Sequence, residues 1–210
     1  PAGAGKSTLS RLLSAVDENI TIGPDIELRK LEHIPAFLKQ APSWMPIYLN
    51  KGGSRRFTWE ELKFITYLKE WPRLLRRRNA NDRQVIVLDH GPIFRLATLR
   101  EFGPENLKSA ALNDWWSRLY RQWAFTIDII VWLDTEDDVL VERINARQQK
   151  HVLKGSGSAD AVTFLNRYRI SYLRTLRRLM DYRQPRFFQF DTSRVPVGEI
   201  ATEVLNACRA

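Results

Sequence analysis

Cysteine is nearly missing from this chain. Cys208 stands alone among 210 residues, which excludes an internal disulfide framework and fits a reducing compartment, so a cytoplasmic location is expected. Long apolar runs are missing too. No stretch approaches the roughly 20 residues that a bilayer-spanning helix needs, and the first residues carry no apolar region of signal-peptide type. Repeats, low-complexity tracts and a long basic tail are also lacking. No cysteine or histidine is spaced to join His151 in a metal site.

What is present suits one globular domain over residues 1–210, since 44% of the residues are hydrophobic and 27% charged. The net charge of +9 describes either a basic solvated surface or a surface that meets an anionic ligand, a nucleotide or a nucleic acid. Charge alone does not choose between them.

The most informative stretch is the first one, Pro1-Ala2-Gly3-Ala4-Gly5-Lys6-Ser7-Thr8. Gly5-Lys6-Ser7 matches the end of the phosphate-binding pattern G-x-x-x-x-G-K-[ST]. Glycines let the backbone curl so that successive N–H groups point at an anion, and the helix that follows adds its N-terminal dipole. In that role Gly3, Ala4, Gly5, Lys6, Ser7 and Thr8 bind the nucleotide, Lys6 reaches the β- and γ-phosphates, and the Ser7 hydroxyl sits on Mg²⁺. Such a loop is expected to follow a buried strand. Here the first glycine of the pattern would precede Pro1, so the chain is expected to lack the first strand of its own sheet.

Helical spacing of Leu9, Leu12, Leu13 and Val16 predicts a helix over 6–16. A short strand over 19–23 follows, closed by Gly23-Pro24-Asp25. Asp25 is a candidate general base at the carboxyl end of that strand, or simply a cap for a helix over 26–41. Residues 42–57 read as a long loop whose Lys51, Arg55 and Arg56 are solvated charges first and anion contacts second. Thr58 and Glu61 form a capping box, Leu62, Ile65, Leu68 and Leu75 continue an apolar stripe, and Pro72 is expected to kink or divide the helix.

Gln84-Val85-Ile86-Val87-Leu88 is a continuous apolar run of the kind a strand buried on both faces requires. It ends at Asp89-His90-Gly91. An acid there can hold Mg²⁺-bound water or take a proton from an acceptor, so Asp25 and Asp89 remain alternative bases. A helix over 93–102 brings Arg95 and Arg100 toward the same crevice. In a helix over 107–124, Leu112, Trp116, Leu119 and Trp123 make a stripe that reads as core. A buried strand over 127–133 ends at Asp134, and Thr135 with Asp138 forms a second capping box. Arg143 and Arg147 share a face four residues apart, before Gly155 and Gly157, and read as a lid over 143–160. A long helix over 160–183, a strand over 186–190 closed by Asp191-Thr192-Ser193, and a final helix from Pro196 complete the chain.

The ordered set resembles the nucleoside/nucleotide kinase group of P-loop proteins, and looks most like thymidylate kinase and its relatives. The resemblance implies an α/β fold, a three-layer α/β/α domain around a parallel sheet of order 2-3-1-4-5. It implies ATP and Mg²⁺, the metal held through Ser7 and Asp89, and γ-phosphoryl transfer to a small acceptor. By position Lys6, Asp89, Arg143 and Arg147 match that group's functional residues, and the loop with Asp191 and Thr192 matches its adenine site. Where those enzymes usually carry an arginine after the acid of the third strand, this chain has His90, and Arg95 is the candidate substitute. The acceptor is therefore a nucleoside, a nucleotide or another hydroxylated metabolite; a homodimer is possible and a nucleic-acid partner is not expected. The rival class is a nucleotide-dependent switch or nucleic-acid-binding ATPase with no small acceptor.

Overall fold

The computed structural model describes residues 2–23, 55–81, 84–146, 153, 155 and 157–209. Its elements in chain order are α1 (Lys6–Val16), β1 (Ile20–Ile22), α2 (Trp59–Asn81), β2 (Val85–Val87), α3 (Pro92–Phe102), two 3₁₀ turns (Glu105–Lys108 and Ala110–Leu112), α4 (Asn113–Ala124), β3 (Ile129–Asp134), α5 (Asp137–Ala146), α6 (Ser158–Met180), β4 (Arg186–Asp191) and α7 (Val197–Arg209). The protein is mixed α/β, with short parallel strand pairs.

β1 pairs with β2, Ile20 opposite Val85, and β3 pairs with β4, Ile129 opposite Arg186 and Asp134 opposite Asp191. Both pairs are parallel. They are the two outer pairs of the expected order, but they form two separate two-stranded sheets rather than one five-stranded sheet. Among the described residues no strand lies between β2 and β3. A cleft of about 780 Å³ takes that place, lined by residues 84–89 and 126–133 together with side chains of α1, α3 and α7. The cleft explains why β2 falls short of the full burial its apolar run predicts: Val85, Ile86 and Val87 are only half-buried.

Two hydrophobic clusters hold the helices. The first gathers α2, α3 and α4 through Ile65, Tyr67, Leu68, Leu96, Leu99 and Trp123. The second gathers α1, α5 and α7 through Leu9, Leu13, Leu140, Ile144, Ile200 and Val204. The strands alternate between two faces. Val85, Val87, Val131 and Phe188 turn to the second cluster, whereas Trp132 packs edge-on against Tyr172 of α6 at 5.8 Å.

The capping box at the start of α2 forms in both directions: Glu61 N–H donates to Thr58 Oγ1 at 3.2 Å and Thr58 N–H to Glu61 Oε2 at 2.7 Å. Arg55 is committed to the same carboxylate, with Nη1 2.9 Å from Oε2. Pro72 does not divide α2, which runs unbroken from Trp59 to Asn81. A proline removes the N–H that would bond the carbonyl four residues earlier, here Leu68. The indole N–H of Trp123, a fully buried side chain, donates to that carbonyl at 2.9 Å. The tryptophan stripe is core, as expected, and Trp123 also supplies the hydrogen bond that the proline withholds.

Two helix starts differ from expectation. The helix over 107–124 is broken into two 3₁₀ turns and α4. The Thr135–Asp138 box is not made: α5 begins at Asp137, Asp138 Oδ1 accepts from Val139 N–H, and the buried Thr135 Oγ1 has no partner. Of the expected lid over 143–160, Arg143 to Ala146 belong to α5, Leu153 is buried in the second cluster and Gly155 has φ 82°.

Candidate functional site

The chain opens with a tight turn. Gly3 and Gly5 take φ of 85° and 83°, the left-handed region that costs other residues about 1–2 kcal/mol. A Cβ on Gly3 would lie 3.1 Å from the Leu140 carbonyl oxygen, so the backbone there passes close to α5. Gly5 is the N-cap of α1, and its carbonyl accepts from Thr8 and Leu9 N–H at 3.1 and 3.0 Å. Ala4 is fully buried, which anchors the turn. The result is a curled backbone at the N-terminus of an eleven-residue helix, with Lys6 and Ser7 on its first turn.

Ser7 and Asp89 meet. Ser7 Oγ donates to Asp89 Oδ2 at 2.5 Å across 82 residues of sequence. The other carboxylate oxygen, Asp89 Oδ1, is buried and has no hydrogen-bond partner. A buried carboxylate oxygen without a partner is costly unless something of positive charge satisfies it. Lys6 lines the large cleft beside Asp89. The donors are hard oxygens, a hydroxyl and a carboxylate, which is the set Mg²⁺ takes when substrate phosphates and water complete its octahedron. Among the described residues no group of three or more His, Cys, Asp or Glu assembles. Ser7 and Asp89 therefore fit Mg²⁺ held partly by phosphate rather than in an all-protein cage.

The turn that carries Asp89 is braced from behind. Arg95, 3% exposed, donates from Nη1 to the His90 carbonyl and lies 3.7 Å over the Tyr67 ring. It braces the Asp89–His90 turn from within the core. Arg100 also meets an aromatic ring, its guanidinium 5.3 Å from the Trp116 ring. His90 is exposed, its ring 5.4 Å from Phe94.

A second cavity, of about 390 Å³, brings together residues far apart in sequence: Gly3, Ala4, Gly5 and Thr8 from the turn and α1, Arg143 from α5, and Thr192 from the loop after β4. Val195, Val197 and Ile200 give it an apolar wall. Arg143 is bonded to the loop, Nη1 to Thr192 Oγ1 at 2.9 Å and Nη2 to the Thr192 carbonyl at 3.1 Å. Asp191 shapes that loop by accepting from Ser193 N–H at 2.9 Å and Ser193 Oγ at 2.7 Å. The Ser193 hydroxyl and backbone N–H hold the Asp191 carboxyl below its ordinary pKa. Asp25 and Arg147, both expected at the site, lie outside the described residues.

One residue at this end of the sheet has no local signal in the sequence. Arg169, in the middle of α6, reaches back to the carboxyl end of β3. Its Nε donates to Asp134 Oδ2 at 2.8 Å and its Nη2 to Asp134 Oδ1 at 3.1 Å and Asp137 Oδ1 at 2.7 Å. Burial alone pushes the Asp134 carboxyl up, and the Arg169 fork more than reverses this, leaving its pKa below the ordinary value. A depressed carboxylate stabilises the fold above its unfolded pKa of about 3.9, and that stability is lost as pH falls through the folded value. Arg169→Leu is accordingly expected to cost about 2–4 kcal/mol at pH 7, because it strands two half-buried carboxylates. The difference from the parent should shrink as pH falls from the unfolded carboxylate value of about 3.9 through the lower folded value of Asp134. Urea unfolding at pH 7 and pH 3.5 measures both; an equal deficit at the two pH values would contradict the assignment.

No protein-family model matches the chain, and no curated protein or solved structure shows significant similarity to it. Any functional reading therefore rests on the chain's own geometry. Among the described residues no helix is long and apolar enough to cross a membrane.

Proposed function

We propose that this chain is an ATP-dependent phosphotransferase of the P-loop kinase type, acting on a small hydroxyl or phosphate acceptor of the nucleoside or nucleotide class. The observation that carries the reading is the Ser7–Asp89 contact with its buried, unpartnered carboxylate oxygen. It joins the serine of a phosphate-loop sequence to the acid that ends an apolar strand, the two groups that share Mg²⁺ in P-loop enzymes. The turn at Gly3–Gly5, the N-terminus of α1 and Lys6 supply an anion cradle. The cavity between Thr8, Arg143 and Thr192, with its apolar wall, suits the remainder of a nucleotide.

In this reading bound Mg²⁺ supplies charge neutralisation at the transferring phosphoryl group. The protein's part is positioning and electrostatics. The turn orients backbone N–H groups, Lys6 brings positive charge to the phosphates, and Asp89 holds its place through Ser7 and the Arg95-braced turn. Arg143, bonded to Thr192, fixes the loop after β4 against α5 and so shapes the far wall of the nucleotide cavity.

The test is ATP consumption measured over a panel of nucleosides, nucleoside monophosphates and unrelated hydroxylated metabolites. Stimulation by one acceptor class, with ADP formed in step with phosphorylated acceptor, is the expected result. ATP hydrolysis that no acceptor stimulates, together with nucleic-acid binding that weakens steeply with salt, would favour the switch or nucleic-acid ATPase instead.

A further inference from the structure

Three helices each turn a stripe of side chains away from the core. In α2 the stripe is Lys69, Arg73 and Arg76, spaced i, i+4, i+7. In α4 it is Arg118 and Arg121, with Phe125 one residue past the helix end. In α6 it is Ile170, Leu173, Arg174 and Arg177. All of these are exposed except Lys69, which is half-buried.

The stripes lie side by side, because α4 packs against both α2 and α6. The rings of Tyr67 and Trp123 stack at 5.7 Å across α2 and α4, and Tyr120 of α4 meets Thr175 of α6. Helices packed in this way lie about 8–10 Å apart, so the stripes make one face about 20 Å across. At about 1.5 Å per residue it runs about 10 Å along each helix. Lys69 and Arg118 act on each other across α2 and α4. Burial, Arg118 and Arg73 push the Lys69 ammonium below its ordinary pKa, and Glu70 opposes this only in part. Among the described residues no carboxylate pairs with Lys69, Arg73, Arg118, Arg121 or Arg177. Arg174 has a 4.0 Å contact with Glu101, whose other oxygen is 3.0 Å from Arg167. Cations gathered without counterions repel one another, and an anionic surface laid over them reverses that cost.

Charge alone suits any polyanion; the apolar members of the face decide between them. Ile170 is 49%, Leu173 53% and Phe125 52% exposed, and they share their stripes with the arginines. A nucleic acid is held by cations that track its backbone and by aromatic rings on which bases stack. Branched aliphatic side chains between the cations serve neither purpose. A bilayer surface uses both kinds of group, cations at the headgroups and apolar side chains at the acyl boundary.

We infer that the outer face of α2, α4 and α6 docks peripherally on a membrane surface rich in anionic lipid. The cations meet the headgroups, and Ile170, Leu173 and Phe125 enter the boundary beneath them. None of these residues belongs to the turn at Gly3–Gly5, the Ser7–Asp89 pair or the Arg143–Thr192 contact, so the inference does not depend on the phosphotransferase reading.

The experiment is co-sedimentation of the full chain, without nucleotide, with vesicles of phosphatidylcholine alone or with about 30 mol% phosphatidylserine, at about 0.1 M salt. Binding to the anionic vesicles is expected to be at least about tenfold stronger, and to be largely lost at about 0.5 M salt. Each cation near such a surface contributes about fivefold, so Arg118→Gln, Arg121→Gln and Arg174→Gln together should weaken binding about 100-fold. Lysine at the same positions should keep it. Arg11→Gln, Arg186→Gln and Arg209→Gln together remove the same charge from other elements and should weaken it far less. Ile170→Gln with Leu173→Gln should cost about tenfold through lost apolar burial. All these side chains are exposed, and thermal unfolding checks that each variant keeps the parent's fold. No preference for anionic vesicles, or equal losses in the two glutamine triples, would overturn the inference. Parent-like vesicle binding by the Ile170/Leu173 variant would overturn it too, and a single-stranded oligonucleotide bound by the parent but not by the first glutamine triple would make the face a nucleic-acid site instead.

Discussion

Replacing Lys6 by alanine is expected to lower ATP-dependent turnover by about 10²–10³-fold, the usual loss when one preorganised electrostatic group is removed from a transition state, while leaving the fold intact. Lys6 is half-buried on the first turn of α1 and is not part of either hydrophobic cluster, and alanine is a good helix former. Asp89→Asn makes the complementary case. It keeps the size of the side chain and an oxygen for the Ser7 hydroxyl, but removes the charge that a divalent cation needs. Its expected signature is a similar loss of turnover with a raised Mg²⁺ requirement, whereas Lys6→Ala is expected to weaken nucleotide binding at every Mg²⁺ concentration. Steady-state turnover at varied ATP and Mg²⁺ separates the two. Parent-like turnover in both variants would remove the phosphate-loop assignment.

The second large effect is on stability and concerns residues remote from the loop. Trp123→Phe is expected to destabilise the protein by about 2–4 kcal/mol, combining the loss of buried ring volume with a Leu68 carbonyl left without a donor. Pro72 cannot supply one. Pro72→Ala restores a backbone N–H that reaches the same carbonyl, so the double variant is expected to recover about 1 kcal/mol or more relative to simple addition of the two single effects. Urea unfolding of the four proteins completes the cycle. Strict additivity would show that the indole and the proline do not share the Leu68 carbonyl. The cycle also asks why a 23-residue helix tolerates an internal proline: the answer given by the structure is a donor supplied 55 residues away.

That pair marks a boundary of what sequence patterns reveal. Local rules served where the partner is local. Thr58 and Glu61, three residues apart, form the capping box they spell, and the tryptophan stripe of α4 is buried at the expected spacing. The parallel pairing of β1 with β2 and of β3 with β4 agrees with neighbours in the order that the resemblance implies; apolar runs and helical periodicity alone do not give it. Pro72 does not divide its helix, because compensation for the missing N–H comes from another helix. The start of α5 was misjudged because Asp134, the residue just before Thr135, is held by Arg169 and by Thr135 N–H, and the helix begins only at Asp137. Arg169 itself gave no signal, since nothing in the middle of a long helix announces which strand end it reaches.

The candidate site divides the same way. Residue types at fixed spacing picked out the turn at Gly3 and Gly5 before α1 and marked Asp89 as an acid ending a strand. The contact between Ser7 and Asp89 is tertiary, and so is the enclosure of Arg143 and Thr192 around one cavity. Arg95 and Arg100 each meet an aromatic face, Tyr67 or Trp116, a tertiary contact that residue spacing does not announce.

The measurement that tests the central claim most directly is calorimetric titration of the chain with ADP in the presence and absence of Mg²⁺, repeated on Asp89→Asn and Lys6→Ala. The account predicts saturable binding that Mg²⁺ strengthens in the parent, that needs more Mg²⁺ for the same strengthening in Asp89→Asn, and that is weakened at every Mg²⁺ concentration in Lys6→Ala. Binding that ignores Mg²⁺ in the parent, or that survives unchanged in both variants, would contradict it.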